Sequence, residues 1–349
     1  MAADRPKGIL STVGDTPLVE LERIAPHHDF RVHAKIERFN PGGSIKDRSA
    51  LGMLLERIRS GALVPGTSTV VESSSGNLAI GLAQICCYYG LRFICVVDAR
   101  TTEQNLAILR AYRAEVEIVT EPDPATGEYL PARLRRVAEL AATVPHAYVP
   151  DQYANPRNPR THRETTMREI DRAMGGDVDY LFVAAGTTGT LGGCAAYIRE
   201  RGMATTVVAV DAVGSVLFDS PVSCPRLIPG HGASVAPALL DRTAADRVVH
   251  ISDLESVAGC RRLVRREAIL AGGSSGAVVA ALGKLAPEIP AGASCVLILP
   301  DGGDRYLDTV YSDAWVRRHF GDIDLDTVID PDFEPDPDPD LDTKETVPC

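Results

Sequence analysis

Thr69-Val70-Val71-Glu72-Ser73-Ser74-Ser75-Gly76-Asn77-Leu78 reads as a short β-branched strand, a serine-rich bend and the start of a helix. The same unit recurs along the chain. Strands are expected over 69–72, 92–97, 116–119, 180–184, 207–211 and 295–299. Helices are expected over 78–89, 103–113, 130–142, 191–201, 254–270 and 276–285. This alternation predicts an α/β fold, with parallel sheets carrying helices on both faces. Continuous apolar runs such as Phe93-Ile94-Cys95-Val96-Val97 suit strands covered on both sides. Ligands of such sheets bind beyond the carboxyl ends of the strands.

Three strand ends carry clusters of small or hydroxyl residues: Ser73-Ser74-Ser75-Gly76-Asn77, Gly186-Thr187-Thr188-Gly189-Thr190 and Pro300-Asp301-Gly302-Gly303-Asp304. A fourth, Gly272-Gly273-Ser274-Ser275-Gly276, separates two helices. Together they suggest one shared pocket. At 186–190 glycines let amides approach an anion, threonines add hydroxyls, and a helix start adds positive potential. The cluster lacks a P-loop lysine, and no GxGxxG occurs, so a small phosphate ester fits better than a nucleotide. The plainer alternatives are a tight turn at 186–190 and simple helix caps at the serine clusters.

Upstream, Asn40-Pro41-Gly42-Gly43-Ser44-Ile45-Lys46-Asp47-Arg48 places a lysine in a first helical turn after a glycine bend. Ser44 is the expected N-cap and Asp47 its capping partner. Leu51, Leu54, Leu55 and Ile58 are the expected buried stripe, with Lys46 turned off it. A cation there opposes the helix macrodipole, which lowers the amine pKa and favours the nucleophilic form. A surface lysine is the alternative.

With 349 residues the chain has room for two domains. Its net charge of −11 disfavours nucleic acid and anionic membrane as partners. No apolar run reaches a membrane span, and the first ten residues hold no signal-peptide core. Cysteines 86, 87, 95, 194, 224, 260, 295 and 349 form no CxxC and fall mostly in apolar segments, as in a reducing, cytoplasmic compartment. The histidines show no metal-ligand spacing, so no metal site is expected. Residues 329–349 alternate proline and acid and are expected to be a disordered tail.

The segments Pro41 to Arg48, Ser74-Ser75-Gly76-Asn77, Gly186 to Thr190 and Gly272-Gly273-Ser274-Ser275-Gly276-Ala277 stand in the order and spacing of the cysteine synthase family. The chain resembles these fold-type II enzymes from about Thr16 to about Arg318. The resemblance implies a tryptophan synthase β-like molecule of two three-layer domains, mainly parallel sheets, and pyridoxal 5'-phosphate in the cleft. It implies a smaller mobile domain over 44–153 that grips the substrate, a larger cofactor-binding domain from 1–43 and 154–328, and a homodimer. Lys46 resembles the lysine that forms the Schiff base and shuttles the Cα proton. Asn77 resembles the partner of the pyridine 3-oxygen, and Gly186, Thr187, Thr188, Gly189 and Thr190 the phosphate cup. Ser274 resembles the partner of the ring nitrogen, and a serine there makes a weaker electron sink that suits β-elimination. Ser74, Ser75, Gly76 and Gln152 resemble the elements that grip the substrate carboxylate.

The chain departs from ordinary cysteine synthases at Leu78, where their loop carries threonine. The stretches Gly127 to Val137 and Asp151-Gln152-Tyr153-Ala154-Asn155-Pro156 are similar to N-(2-amino-2-carboxyethyl)-L-glutamate synthases of 2,3-diaminopropionate biosynthesis. That resemblance implies O-phospho-L-serine as donor and L-glutamate as amine nucleophile, in a siderophore or peptide-antibiotic pathway. Arg133 is then a candidate for the phosphate or a glutamate carboxylate, and Tyr153 for orienting the second amino acid. An exposed basic face and a packed aromatic are the alternatives for these two. A cysteine synthase using sulfide, and a cofactor-bound sensor without turnover, are the alternative functions.

Overall fold

The computed structural model describes residues 6–125, 127–220, 222 and 224–323. The expected acidic tail at 329–349 lies outside the described residues.

In chain order the elements begin with β1 (Leu18–Glu20), β2 (Arg31–Ile36), α1 (Lys46–Arg59), β3 (Thr69–Ser73), α2 (Asn77–Tyr89), β4 (Arg92–Asp98) and α3 (Glu103–Ala111). Next come β5 (Glu115–Val119), α4 (Tyr129–Thr143), β6 (Ala147–Tyr148), α5 (Arg157–His162), a π-helical turn (Arg163–Met167) and α6 (Arg168–Met174). The remainder holds β7 (Tyr180–Ala184), α7 (Gly189–Arg201), β8 (Thr206–Ala212), β9 (Arg247–Ile251), α8 (Asp253–Glu267), α9 (Gly273–Leu285), β10 (Ser294–Leu299) and α10 (Asp313–Phe320).

The strands form two sheets. One has the order β5-β4-β3-β6 and is parallel throughout. The other has the order β1-β2-β10-β7-β8-β9 and draws on both flanks of the first. In it only β1 runs antiparallel, with Val19 opposite Ala34. Parallel strands need covered faces, and the residues supply them. All five residues of β3 and all six of β10 are buried. One face of the six-stranded sheet packs Val32, Phe182, Val208 and Leu297 against α9, and the other packs Leu181, Val183 and Val296 against α7. Val70, Phe93 and Cys95 join α1 and α2 in the core of the four-stranded sheet. Leu78, where the family loop carries threonine, is 2% exposed and belongs to that core.

Two expectations for the first helix are corrected. Ser44 is not its N-cap: α1 starts at Lys46, Ile45 occupies the cap position, and no side chain caps it. Ser44 instead pairs through its backbone with Asp301, while its Oγ accepts from the Lys46 amide at 3.2 Å. The Asp47 carboxylate is taken by the Gly42 amide at 2.5 Å, so no capping box forms. The buried face is also different. Asp47, Arg48, Ser49, Ala50, Met53 and Leu54 are buried, whereas Leu51, Leu55 and Ile58 are half-buried. Polar residues hold the interior of the first turn because they carry ion pairs and hydrogen bonds there.

Candidate active site

The four clusters are brought together at the carboxyl ends of both sheets. Asp301 follows β10 and is the junction of three of them. Its backbone pairs with Ser44, and its carbonyl accepts from the Gly272 amide at 3.2 Å. Its carboxylate Oδ2 accepts from Asn77 Nδ2 at 2.8 Å and from the Tyr306 hydroxyl at 2.7 Å. Arg305 donates to Asn77 Oδ1. Asp301 thus fastens the lysine loop, the start of α2 and the start of α9 to one point. It is 2% exposed, and its Oδ1 has no hydrogen-bond partner among the described residues.

Lys46 stands half-buried in the first turn of α1. Burial lowers its amine pKa below the ordinary lysine value, and the Asp301 carboxylate pulls it partly back. Burial likewise raises the Asp301 carboxyl, against hydrogen bonds from Asn77 and Tyr306 and the charges of Arg305 and Lys46.

The remaining cluster, 186–190, lies at the start of α7. A Cβ on Gly186 would stand 2.5 Å from the Gly230 carbonyl oxygen, so only glycine fits this close approach. Thr188 is left-handed at φ 63°, a conformation β-branched residues avoid, and its buried Oγ1 has no hydrogen-bond partner among the described residues. The first amides of a helix have no intrahelical acceptors. A glycine-cleared helix start with an orphaned buried hydroxyl fits a phosphate, and the half-buried Lys46 amine fits an aldehyde-bearing ring. Pyridoxal 5'-phosphate therefore suits these residues, 186–190 for its phosphate and Lys46 for its carbonyl carbon, while Asn77, the expected ring partner, has both polar side-chain atoms engaged by Asp301 and Arg305. Ser274 lies half-buried in the first turn of α9.

The serine loop caps α2 differently. Ser74 Oγ accepts from the Gly76 and Ala79 amides at 3.5 and 3.3 Å, which leaves its proton to donate. Ser75 and Gly76 are half-buried, and the Ser75 carbonyl is held by Asn105 Nδ2 at 2.9 Å. Gln152 is buried and reaches the Ser73 carbonyl at 3.4 Å. Arg133 is 12% exposed and pairs with Asp98 at 3.4 Å, whereas Arg135 is exposed and pairs with Asp123. Its charge acts on Tyr153, which is half-buried and whose hydroxyl pKa burial raises. Glu72, at the end of β3, is buried and its carboxyl is raised to about 7 by burial.

Sequence reasoning assigned no role to Asp301, Arg305, Tyr306, Asn158 or His162. Asp301 stood within a cluster already noted, where aspartate between proline and glycine reads as turn chemistry. Asn158 and His162 stood in a proline-rich segment without apolar periodicity, and no signal marked them.

The family described as pyridoxal-phosphate dependent enzyme matches residues 9–301. The chain is 46% identical over 312 residues to an N-(2-amino-2-carboxyethyl)-L-glutamate synthase of Ralstonia nicotianae, covering 89% of this chain and 91% of that protein. The crystal structure of O-ureido-L-serine synthase is similar with a TM-score of 0.81 and 35% identity, over 89% of this chain and 99% of that one. A lysine-to-alanine variant of that synthase with bound O-ureido-L-serine gives 0.80 and 34%, over 90% and 98%.

Proposed function

The chain belongs to the pyridoxal-phosphate dependent enzymes and carries out β-replacement, and from that premise we propose its substrates: O-phospho-L-serine as donor and the amino group of L-glutamate as nucleophile. The product is N-(2-amino-2-carboxyethyl)-L-glutamate, a precursor of 2,3-diaminopropionate for a siderophore or peptide antibiotic. The observation that carries this reading is the 46% identity, spread over 89% of the chain, to a synthase named for that product.

When bound, the cofactor supplies the electron sink for bond breaking at Cα. The chain's own residues do the rest. Ser74 donates its free hydroxyl proton to the donor's carboxylate, and Gln152 flanks that position. Lys46, whose amine pKa burial lowers, takes the Cα proton and later returns it. Arg133 supplies the cation that a donor phosphate or an acceptor carboxylate requires. Asp98 lies 3.4 Å from its Nε as an ion pair without hydrogen-bond geometry.

The test is the mass of the product from O-phosphoserine with glutamate or with sulfide. The glutamate adduct is expected. Cysteine from sulfide without any glutamate adduct would replace this reading with a cysteine synthase.

A further inference from the structure

Beneath residues 186–190 runs a buried chain of hydrogen bonds that reaches α1 and the π-helical turn. Asn158 is 2% exposed and His162 1% exposed. Asn158 Nδ2 lies 2.9 Å from the Gln152 carbonyl and 3.4 Å from Thr187 Oγ1. Asn158 Oδ1 lies 2.9 Å from Ser49 Oγ, which lies 3.0 Å from His162 Nε2. His162 Nε2 is also 3.4 Å from Thr190 Oγ1, and its Nδ1 is 2.9 Å from Thr166 Oγ1.

The direction of every bond follows from one end. A backbone carbonyl only accepts, so the group facing Gln152 is the Asn158 amide nitrogen, which leaves its oxygen facing Ser49. Ser49 therefore spends its one proton on Asn158 Oδ1 and can only accept from His162. Nε2 then carries a hydrogen. Burial, with Lys46 and Arg48 nearby, keeps the ring neutral, so Nδ1 is bare and accepts from Thr166. The second Nδ2 proton of Asn158 goes to Thr187. Thr187 thus accepts from below, and Nε2, whose one hydrogen is given to Ser49, offers Thr190 no lone pair to donate to. Gly189 and Gly193 make room for this: a Cβ there would stand 2.2 Å from Asn158 Oδ1 and 2.7 Å from His162 Cβ.

We propose that Asn158 and His162 are positioning residues that set the proton polarity of the phosphate cup, so that Thr187 and Thr190 turn their hydroxyl protons toward the bound phosphate. The inference rests on 186–190 holding that phosphate.

The experiment measures pyridoxal phosphate affinity in Asn158→Asp, Thr187→Val and the double variant. The carboxylate introduced by Asn158→Asp cannot donate, so Thr187 must spend its proton on it, and affinity should fall roughly tenfold or more. In the Thr187→Val background the same change should cost little; an equal cost in both backgrounds is plain charge repulsion and overturns the proposal. If Thr187→Val alone leaves affinity unchanged, the cup assignment fails instead. On the unaltered protein, ring-nitrogen NMR should find His162 protonated at Nε2 only, from pH 6 to 8. A hydrogen on Nδ1, or titration in that range, would overturn the polarity. His162→Gln, which keeps a donor, should retain affinity that His162→Leu loses.

Discussion

The amine of Lys46 and the carboxylate of Asp301 act on each other's protonation, and the sign of that coupling is testable. Burial lowers the Lys46 pKa and Asp301 raises it. Acylation of Lys46 in cofactor-free protein should therefore show a pH midpoint below that of free lysine, and Asp301→Asn should move it lower still. A midpoint unmoved by Asp301→Asn would mean that the carboxyl stays protonated and exerts no field. Lys46→Ala should abolish turnover while leaving the melting temperature within a few degrees, since the residue is only half-buried and sits outside the apolar core. The lysine was legible in the sequence because its glycine bend and helix start are local. Asp301 was not legible as a functional group, because its partners Asn77 and Ser44 are far away along the chain.

The first turn of α1 is built on buried charge rather than apolar surface. Arg48 donates from Nε to Glu37 and from Nη1 to Glu169, each at 2.7 Å, and Lys35 reaches Glu169 at the same distance. Arg48, Lys35 and Glu37 are all 2% exposed or less. Burial pushes the Glu169 carboxyl up, but Arg48 and Lys35 outweigh it and hold it down to about 2. A carboxyl lowered on folding stabilises above its unfolded pKa, and that gain is lost as pH falls from about 4.5 toward 2. Glu169→Gln should thus cost ~3–5 kcal/mol at pH 7, by leaving two buried cations short of an anion. Denaturation at pH 3 should show a much smaller difference, and an equal loss at both pH values would sink the electrostatic account. The same charges explain what the sequence concealed. β2 reads Arg-Val-His-Ala-Lys-Ile, and Lys35 interrupts the apolar run although it lies inside. β3, β4, β7, β8 and β10 were legible because both their faces are apolar, whereas β1 and β6 have three and two residues and carry too little pattern. α5 is absent from the expected helices because Pro159 interrupts its pattern, and it holds its place through α7 glycines that no local rule reveals. Packing of α8 on α9 depends on the same device. A Cβ on Gly259 would stand 2.0 Å from the Gly276 carbonyl oxygen. Gly259→Ala should therefore lower stability by ~1–3 kcal/mol and weaken cofactor binding through Ser274 at the start of α9. Melting with and without cofactor measures both effects.

At the scale of the whole molecule, the site is divided between the two sheets. Ser74, Asn77 and Arg133 belong to the four-stranded sheet and its helices, whereas Thr187, Ser274 and Asp301 belong to the six-stranded one. A substrate whose carboxylate is held by the serine loop, and whose reacting carbon is held near the cofactor, bridges the two. If the two parts close over it, water is excluded from the reacting centre and each charge interaction inside it is strengthened. The direct links across the site are the Asn77–Asp301 and Arg305–Asn77 bonds, with Gln152 and Asn158 joining the loops behind them. Hydrogen exchange on the cofactor-loaded protein tests for that closure. Adding O-phosphoserine should slow exchange at residues 74–79 and 152–155, while β2 and β10, already buried in the larger sheet, should not change. Arg133→Met should reduce that protection if the arginine holds the donor phosphate, and leave it intact if it serves the glutamate. The two outcomes separate its roles without a turnover assay, and protection spread evenly over both sheets would show general stabilisation instead of closure.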